Sequence, residues 1–173
     1  MTSRPAPAAG DQARVTVQVA VAPALAFDLF TREIDLWWRR GIKYRASGRH
    51  AGVLCFEPGV GGRLFETFTV AGQERLVVVG TVTAWEPPRR FVFDWRNTNF
   101  APHEKTEVEV RFDAAGEDGQ STRVTVEHRG WSALPPDHPA RHGLAASPFI
   151  AMIAMWWSEL MSGWRAHLPS RDS

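Results

Sequence analysis

The segment RLFETFTV, residues 63–70, places one carboxylate among apolar residues. Because successive strand residues face opposite sides, Glu66 would share a face with Leu64 and Phe68. Burying an isolated charge is costly, so a carboxylate there must be paired, protonated or hydrogen-bonded. These residue types fit an anchor or general base for a polar ligand. The alternatives are a structural ion pair with an arginine such as Arg63 or Arg96, or an edge position that faces water.

A histidine occupies a comparable position in STRVTVEHRGW. His128 follows Val124 and Val126 on the apolar face of a predicted strand and lies just before Gly130 and Trp131. A histidine there can donate a hydrogen bond to a ligand carbonyl or move a proton near neutral pH. The alternative is a structural histidine whose ring is bonded to a neighbouring carboxylate or carbonyl.

Metal and nucleophile chemistry have weaker support. His138 and His142 stand four residues apart, as in a zinc pair on a helix, but Pro139 between them argues against that helix. Cys55 is the single cysteine and has no basic neighbour that would activate a thiolate. The glycines of GVGG, residues 59–62, lead into a strand, whereas a phosphate-binding loop leads into a helix. We therefore expect no metal site and no cofactor.

Length and charge limit the class of protein. The chain has 173 residues, enough for one domain with a substantial core. Its formal net charge of +1 gives no electrostatic reason to expect a nucleic acid or an anionic membrane as partner. The first residues, MTSRPAPAAGDQ, lack the apolar segment of a signal peptide, and no run is long enough to span a bilayer. These observations predict a cytoplasmic protein.

The hydrophobic pattern predicts a strand, a helix pair and then a sheet. RVTVQVAV alternates as a half-buried strand, and PALAFDLFTREIDLWW carries apolar residues at helical spacing, with a short second helix closed by Trp37 and Trp38. From residue 52 onwards the period is two, and short turns separate the runs. This makes about seven strands in all, which implies an antiparallel meander.

A loop and a long helix end the chain. The segment from residue 132 to 146 has too much Pro, His and Gly for a regular element, and Ser147 with Pro148 predicts a helix that runs to about Leu168. Met152 and Met155 fall outside its main apolar face, a pattern compatible with a lid, an adaptable cavity wall or a homodimer interface. At roughly 100° per residue, the main apolar face comprises Phe149, Ile153, Trp156, Leu160 and Trp164.

The order of these elements and several motifs resemble a known superfamily. The motifs are FTREIDLWW, EPGVGGRLFE, GTVTAWEPPRRFVFDW and TRVTVEHRGW, followed by the Trp-rich last helix. They are similar to the START-like SRPBCC superfamily and, within it, to homologues of the heat-shock chaperone (Hsp) ATPase activator, of the C-terminal-domain type. The resemblance covers residues 14–168 as a single domain, with tails at 1–13 and 169–173. It implies an α+β helix-grip (START/Bet v-like) fold, a curved antiparallel sheet wrapped around a long C-terminal helix.

The resemblance also implies an elongated cavity between sheet and helix, framed by bulky aromatic side chains. Phe91, Phe93 and Trp95 share one face of their strand, which we take as the inner one. No residue is assigned as catalytic. The residues expected to contact a ligand are Trp38, Phe56, Glu66, Phe68, Phe93, Trp95, His128, Trp131, Met152 and Trp156.

Three functions are open on the sequence. The first is the binding of a small apolar or aromatic molecule in the cavity, with Glu66 and His128 orienting it. The second is a polyketide aromatase/cyclase-like enzyme, in which the cavity folds a reactive chain and the same two side chains move protons. The third is a chaperone ATPase-activating interaction module, which the resemblance implies.

Overall fold

A computed structural model describes residues 11–169, which form seven strands and three α-helices. Residues 1–10 and 170–173 of the predicted tails lie outside the described residues. The helices are α1 (Pro23–Arg32), α2 (Ile34–Trp37) and α3 (Ala146–His167). The strands are β1 (Ala13–Val19), β2 (Gly52–Phe56), β3 (Arg63–Val70), β4 (Gln73–Glu86), β5 (Arg90–Trp95), β6 (Thr106–Ala115) and β7 (Ser121–Arg129).

The strands form one sheet in the order β1-β7-β6-β5-β4-β3-β2. Every neighbouring pair is antiparallel, and β1, the first strand in the chain, pairs with β7, the last, at one edge of the sheet. The sheet is a curved half-barrel that holds the C-terminal helix, which confirms the predicted helix-grip fold. None of the helices within residues 11–169 is long and apolar enough to cross a membrane.

The core lies between the concave face of the sheet and the helices. The alternation seen in the sequence of β6 and β7 is confirmed, because their inward side chains are all buried. Rings from α1 complete this layer: Phe30 packs 5.5 Å from Phe91 and 5.3 Å from Trp164, measured between ring centroids. The inward apolar residues of β6 and β7 are Val108, Val110, Phe112, Val124 and Val126.

Helix α3 presents a different stripe to the core from the one predicted. Its N-cap is Ala145, so Ser147 lies inside the first turn and caps nothing. Trp157 is buried and Trp156 only partly so, because the Trp157 indole reaches into the sheet. The first half of α3 beyond its buried Phe149 is therefore less enclosed than the second half. The buried residues of α3 are Phe149, Trp157, Leu160, Met161 and Trp164.

The free edge of β2 is covered by side chains rather than by another strand. Asp35 accepts the backbone N–H of Leu54 at 2.8 Å, and Arg40 donates to the carbonyl of Gly52 at 2.9 Å. These bonds satisfy backbone groups that an edge strand would otherwise leave open. They also fasten the chain that follows α2 against the sheet.

The convex face of the sheet carries a network of arginine and glutamate side chains that shield one another from solvent. Arg129 donates to Glu109 at 2.8 Å and to Glu127 at 3.1 Å, and Arg90 donates to Glu109 at 2.6 Å. Glu109 points outward from the sheet, but the arginines cover it and it is buried. Burial raises the pKa of Glu109, yet the hydrogen bonds from both arginines outweigh it and hold the pKa below its usual value.

Gly80 in β4 lies close to the backbone of Asp94 in β5. A Cβ atom at this position would lie 1.8 Å from the carbonyl oxygen of Asp94, and backbone cannot move aside as a flexible side chain can. We expect Gly80→Ala to lower the free energy of unfolding by about 3 kcal/mol, measured by urea denaturation.

Gly163→Ala in α3 is the matched control. A Cβ atom there meets nothing nearer than the Trp37 carbonyl oxygen at 3.5 Å, an ordinary contact. Since glycine inside a helix is less favourable than alanine, this change should raise the free energy of unfolding by about 0.5–1 kcal/mol. Equal effects of the two substitutions would contradict the close approach at Gly80.

Candidate functional site

A cleft lies between the first half of α3 and the inner face of the sheet, along β2–β5 and at the end of β7. It has two adjoining chambers of about 320 and about 420 Å³. We call the first the carboxylate chamber, because Glu66 lines it, and the second the methionine chamber, because Met152 and Met155 line it. The chambers are neighbours, since both are lined by Ile42, Lys43, Trp95, Asn97, His142 and Trp156.

The floor of the carboxylate chamber is a patch of aliphatic side chains with Glu66 among them. Strand register creates this patch, because Leu54 on β2 and Val77 on β4 are the cross-strand partners of Glu66 on β3. Leu64 and Val79 extend it along the same face. The structure thus places Glu66 on the inner face, as its alternation with Leu64 predicts.

Glu66 is held by backbone rather than by an arginine. Its side chain accepts the N–H of Ala46 at 2.8 Å and the N–H of Ser47 at 3.1 Å, and the residue is 1% exposed. Neither predicted arginine pairs with it: Arg63 bonds to another glutamate, and Arg96 donates to a backbone carbonyl. The carboxylate therefore keeps its place in the chamber through two neutral donors.

His128 is a structural histidine with both ring nitrogens occupied. The Trp157 indole donates to Nδ1 at 3.1 Å, so the neutral ring carries its proton on Nε2 and donates to the Thr106 hydroxyl at 2.7 Å. Burial lowers the pKa of His128 to about 3, so the ring is neutral at pH 7. Its ring lines the methionine chamber, but no nitrogen is free to bind or move a proton there.

Seven of the ten predicted ligand-contacting residues line the two chambers. Phe56, Phe68 and Phe93 line neither. Phe93 and Phe56 pack into the core 5.9 Å from each other, and Phe68 stacks on His50 at 6.3 Å, away from both chambers. Face alternation placed them inward correctly, but the curvature of the sheet carries them past the cleft. The seven that line it are Trp38, Glu66, Trp95, His128, Trp131, Met152 and Trp156.

The sequence interpretation missed the segment that closes the cleft, residues 39–51, which we call the cover segment. Tyr44, the only tyrosine, donates its hydroxyl to Glu159 of α3, and Lys43 binds the same carboxylate at 2.7 Å. The Trp156 indole donates to the carbonyl of Lys43 at 2.9 Å. The segment has no hydrophobic periodicity. The only signal in the sequence that could have identified it is the mixture of basic residues with Ile42 and Tyr44.

Arg45 anchors the cover segment from below. Its guanidinium donates to the Asp35 carboxylate at 2.6 Å and to the carbonyl of Trp38 at 2.8 Å, and its side chain is 1% exposed. A buried, fully engaged arginine holds the backbone around it in one position. The amides of Ala46 and Ser47 reach Glu66 because of this anchor.

The histidine pair in the loop before α3 forms no metal site. His138 accepts the Ala140 N–H on Nδ1 at 3.0 Å and contacts Glu104 through Nε2 at 2.9 Å, so both its nitrogens are engaged. Pro139 begins a short 3-10 turn between His138 and His142, rather than the α-helix that a zinc pair at this spacing requires. Among residues 11–169, no three metal-ligating side chains group together.

The sequence matches one protein family along most of its length. The family is described as activator of Hsp90 ATPase homolog 1-like protein, and its model matches residues 20–149, three quarters of the chain. The chain belongs to this family. Among curated proteins, none matches the sequence.

Solved structures share the fold of this chain. A Rhodobacter sphaeroides protein has a TM-score of 0.60 at 20% identity, covering 94% of each chain. An HSP90 activator from Plasmodium falciparum has a TM-score of 0.55 at 17% identity, covering 86% of this chain and 89% of its own. An anthrahydroquino-gamma-pyrone synthase has a TM-score of 0.55 at 26% identity, covering 91% of this chain and 97% of its own.

The burial of His128 predicts a pH dependence of stability. Its pKa is about 3 in the folded state and about 6.5 in an unfolded chain, so between these values only the unfolded state binds the proton. The free energy of unfolding should fall as pH is lowered from 6.5, by up to about 1.4 kcal/mol per pH unit from this residue. Urea denaturation between pH 7 and pH 5 measures it, above the range where carboxylates titrate.

Two histidine variants separate this effect from others. His128→Gln should be less stable than wild type at pH 7, because the Trp157 and Thr106 groups lose their partner, and its slope between pH 7 and pH 5 should be shallower. His103→Gln, at an exposed position, should keep the wild-type slope. A wild-type slope in His128→Gln would show that another group produces it.

The bonds to Glu159 predict how firmly the cover segment is closed in this family member. Glu159→Gln removes the charge that Lys43 and Tyr44 bind, so amide hydrogen exchange within residues 41–48 should accelerate about two- to fivefold, as for a partly exposed ion pair. Glu33→Gln breaks a different pair with α3, at His167, and should leave this exchange unchanged. Equal exchange in both variants would mean that Glu159 does not fasten the segment.

Proposed function

We propose that the protein binds a small, mainly apolar or aromatic molecule in the cleft between α3 and the sheet. The methionine chamber carries this proposal. Its volume of about 420 Å³ falls within the usual range of small-molecule pockets, roughly 300–1,000 Å³, and its walls are largely apolar. Met152 and Met155 supply walls that adapt in shape, since methionine is unbranched and flexible.

The indole rings at the junction of the chambers suit an aromatic ligand. Trp95 and Trp156 line both chambers, with ring centroids 5.7 Å apart and planes nearly perpendicular. Their N–H groups are already used, by Asn97 at 2.6 Å and by the Lys43 carbonyl at 2.9 Å. Each ring is therefore fixed in orientation, and what it offers a ligand is its apolar surface.

A second candidate function is the catalysis of ring closure in a polyketide-like substrate. The observation that favours it is the 26% identity to the anthrahydroquino-gamma-pyrone synthase over 91% of this chain. In such an enzyme the chambers would confine the reactive chain, and Glu66 would be the carboxylate beside it. Turnover of a bound compound, rather than its release unchanged, would distinguish this candidate from a binding protein.

A third candidate is the activation of a chaperone ATPase, which the family description names. A shared fold does not by itself carry a partner to this chain. Stimulated ATP hydrolysis by purified Hsp90 in the presence of the protein would support this candidate. This function would give the cleft no role.

The binding proposal is tested with a probe and one pair of variants. Native mass spectrometry first identifies any co-purified molecule, and quenching of tryptophan fluorescence then measures the affinity for 1-methoxynaphthalene. Met152→Glu should weaken that affinity at least tenfold, because the new carboxylate in an apolar chamber must lose its water when the probe binds.

Ala151→Glu is the control for this variant. It introduces the same side chain one residue earlier in α3, at an exposed position. Its affinity for 1-methoxynaphthalene should equal that of wild type. Absence of binding by wild type, together with a clean ligand-free mass, would overturn the proposal, as would equal weakening in both variants.

A further inference from the structure

The Glu66 carboxylate is buried, and no basic side chain among residues 11–169 pairs with it. Its partners are the backbone amides of Ala46 and Ser47, and the described residues supply no ion pair to it. Buried carboxylates usually have a cationic partner, because two neutral donors recover only part of the lost hydration. The arrangement is incomplete for a purely structural carboxylate.

Glu66 also keeps unused capacity to accept hydrogen bonds. A carboxylate offers about four lone-pair sites, and two backbone donors occupy one on each oxygen. The side chain lines the carboxylate chamber, and the floor around it is aliphatic. Nothing on that floor competes for the remaining sites, so a donor on a bound molecule would be the natural partner.

The charge of the surrounding side chains decides which donor fits. Lys43, Arg45 and Arg96 line the same chamber. Lys43 and Arg45 are paired with Glu159 and Asp35, whereas Arg96 has no acidic partner among residues 11–169, and its charge disfavours an ammonium group on the ligand through like-charge repulsion. Asn97 and Asn99 add neutral polar groups on the same rim. A neutral hydroxyl satisfies Glu66 without that repulsion.

Building on the proposed binding function, we infer that the ligand is a hydroxyl-bearing aromatic compound. Its hydroxyl donates to Glu66 in the carboxylate chamber, and its ring system lies against Trp95 and Trp156 and extends into the methionine chamber. Hydrogen bonds to a charged acceptor are stronger than neutral ones, so this contact sets both the orientation and the selectivity of the site.

Two probes that differ in one donor test the inference. 1-Naphthol and 1-methoxynaphthalene share a ring system, but only 1-naphthol can donate a hydrogen bond. Isothermal titration calorimetry on the wild-type protein should give about tenfold tighter binding of 1-naphthol, because the ether leaves Glu66 without a donor.

Two variants assign the preference to Glu66. In Glu66→Gln the tenfold preference for 1-naphthol should fall to less than about threefold, since a charged acceptor is replaced by a neutral amide. Met152→Ala removes a contact to the ring system in the other chamber. It should weaken both probes by a similar factor and keep the tenfold ratio.

Backbone resonances provide a readout that needs no variant, in case Glu66→Gln fails to fold. The amides of Ala46 and Ser47 donate to the same carboxylate. 1-Naphthol should shift their NMR signals in the wild-type protein, whereas 1-methoxynaphthalene should leave them in place.

The outcomes separate this inference from the proposed function. Equal affinities for the two probes, with the signals of Ala46 and Ser47 unmoved, would overturn the inference and leave the binding function standing. A tenfold preference that persists in Glu66→Gln would also overturn it. Binding of neither probe by a protein whose mass is ligand-free would overturn both.

Discussion

The hydrogen bond from the Trp157 indole to His128 sets the rotation of α3 against the sheet, and the cleft depends on that rotation. With Trp157 turned into the core, the neighbouring Trp156 lies to the side of it, in line with Met152 one turn earlier, and both side chains line the cleft. A helix rotated by one residue would bury Trp156 and fill the space that the chambers occupy. Burial keeps the ring of His128 neutral, so Nδ1 remains an acceptor for the indole. A single polar contact inside an apolar core thus divides one helix into a packed half and a cavity-lining half.

Carboxylates from three different elements position the cover segment. Asp35 in α2 binds the Arg45 guanidinium, and Glu66 on β3 accepts hydrogen bonds from the backbone amides of the two residues that follow Arg45. Glu159 on α3 binds Lys43 and Tyr44. Each contact joins the segment to a different wall of the cleft. The segment has little apolar burial of its own, so its conformation depends on these polar contacts more than on packing. The walls of the site and its cover are consequently one connected structure.

Much of the fold follows from the alternation of apolar residues, because one face of nearly every strand is buried. The antiparallel meander of β2–β7 and the inward direction of Glu66 and His128 could be predicted this way, whereas the position of β1 beside β7 followed only from the family resemblance. The rotation of α3 could not, since large apolar residues occur on most of its circumference and the deciding contact is polar. Nor could the partners of Glu66, because they are backbone amides of a segment without any periodic signal. Phe68 shows a further limit: a face is readable from the sequence, but the position along a curved strand is not.

Asp35 and Arg40 have a double role that follows from their position at the margin of β2. They hydrogen-bond to the backbone groups of an edge strand that could otherwise pair with the edge of another molecule. Arg40 belongs to the cover segment, and Asp35 lies in α2, shortly before it. Any motion wide enough to lift that segment away from β2 would uncover a strand able to template association. For the binding function proposed above, entry of a ligand would then require small displacements near Lys43 and Tyr44, while the part next to β2 stays in place. Protection of the sheet edge by Asp35 and Arg40 and closure of the cleft by Lys43 and Tyr44 thus depend on different residues of one short stretch of chain.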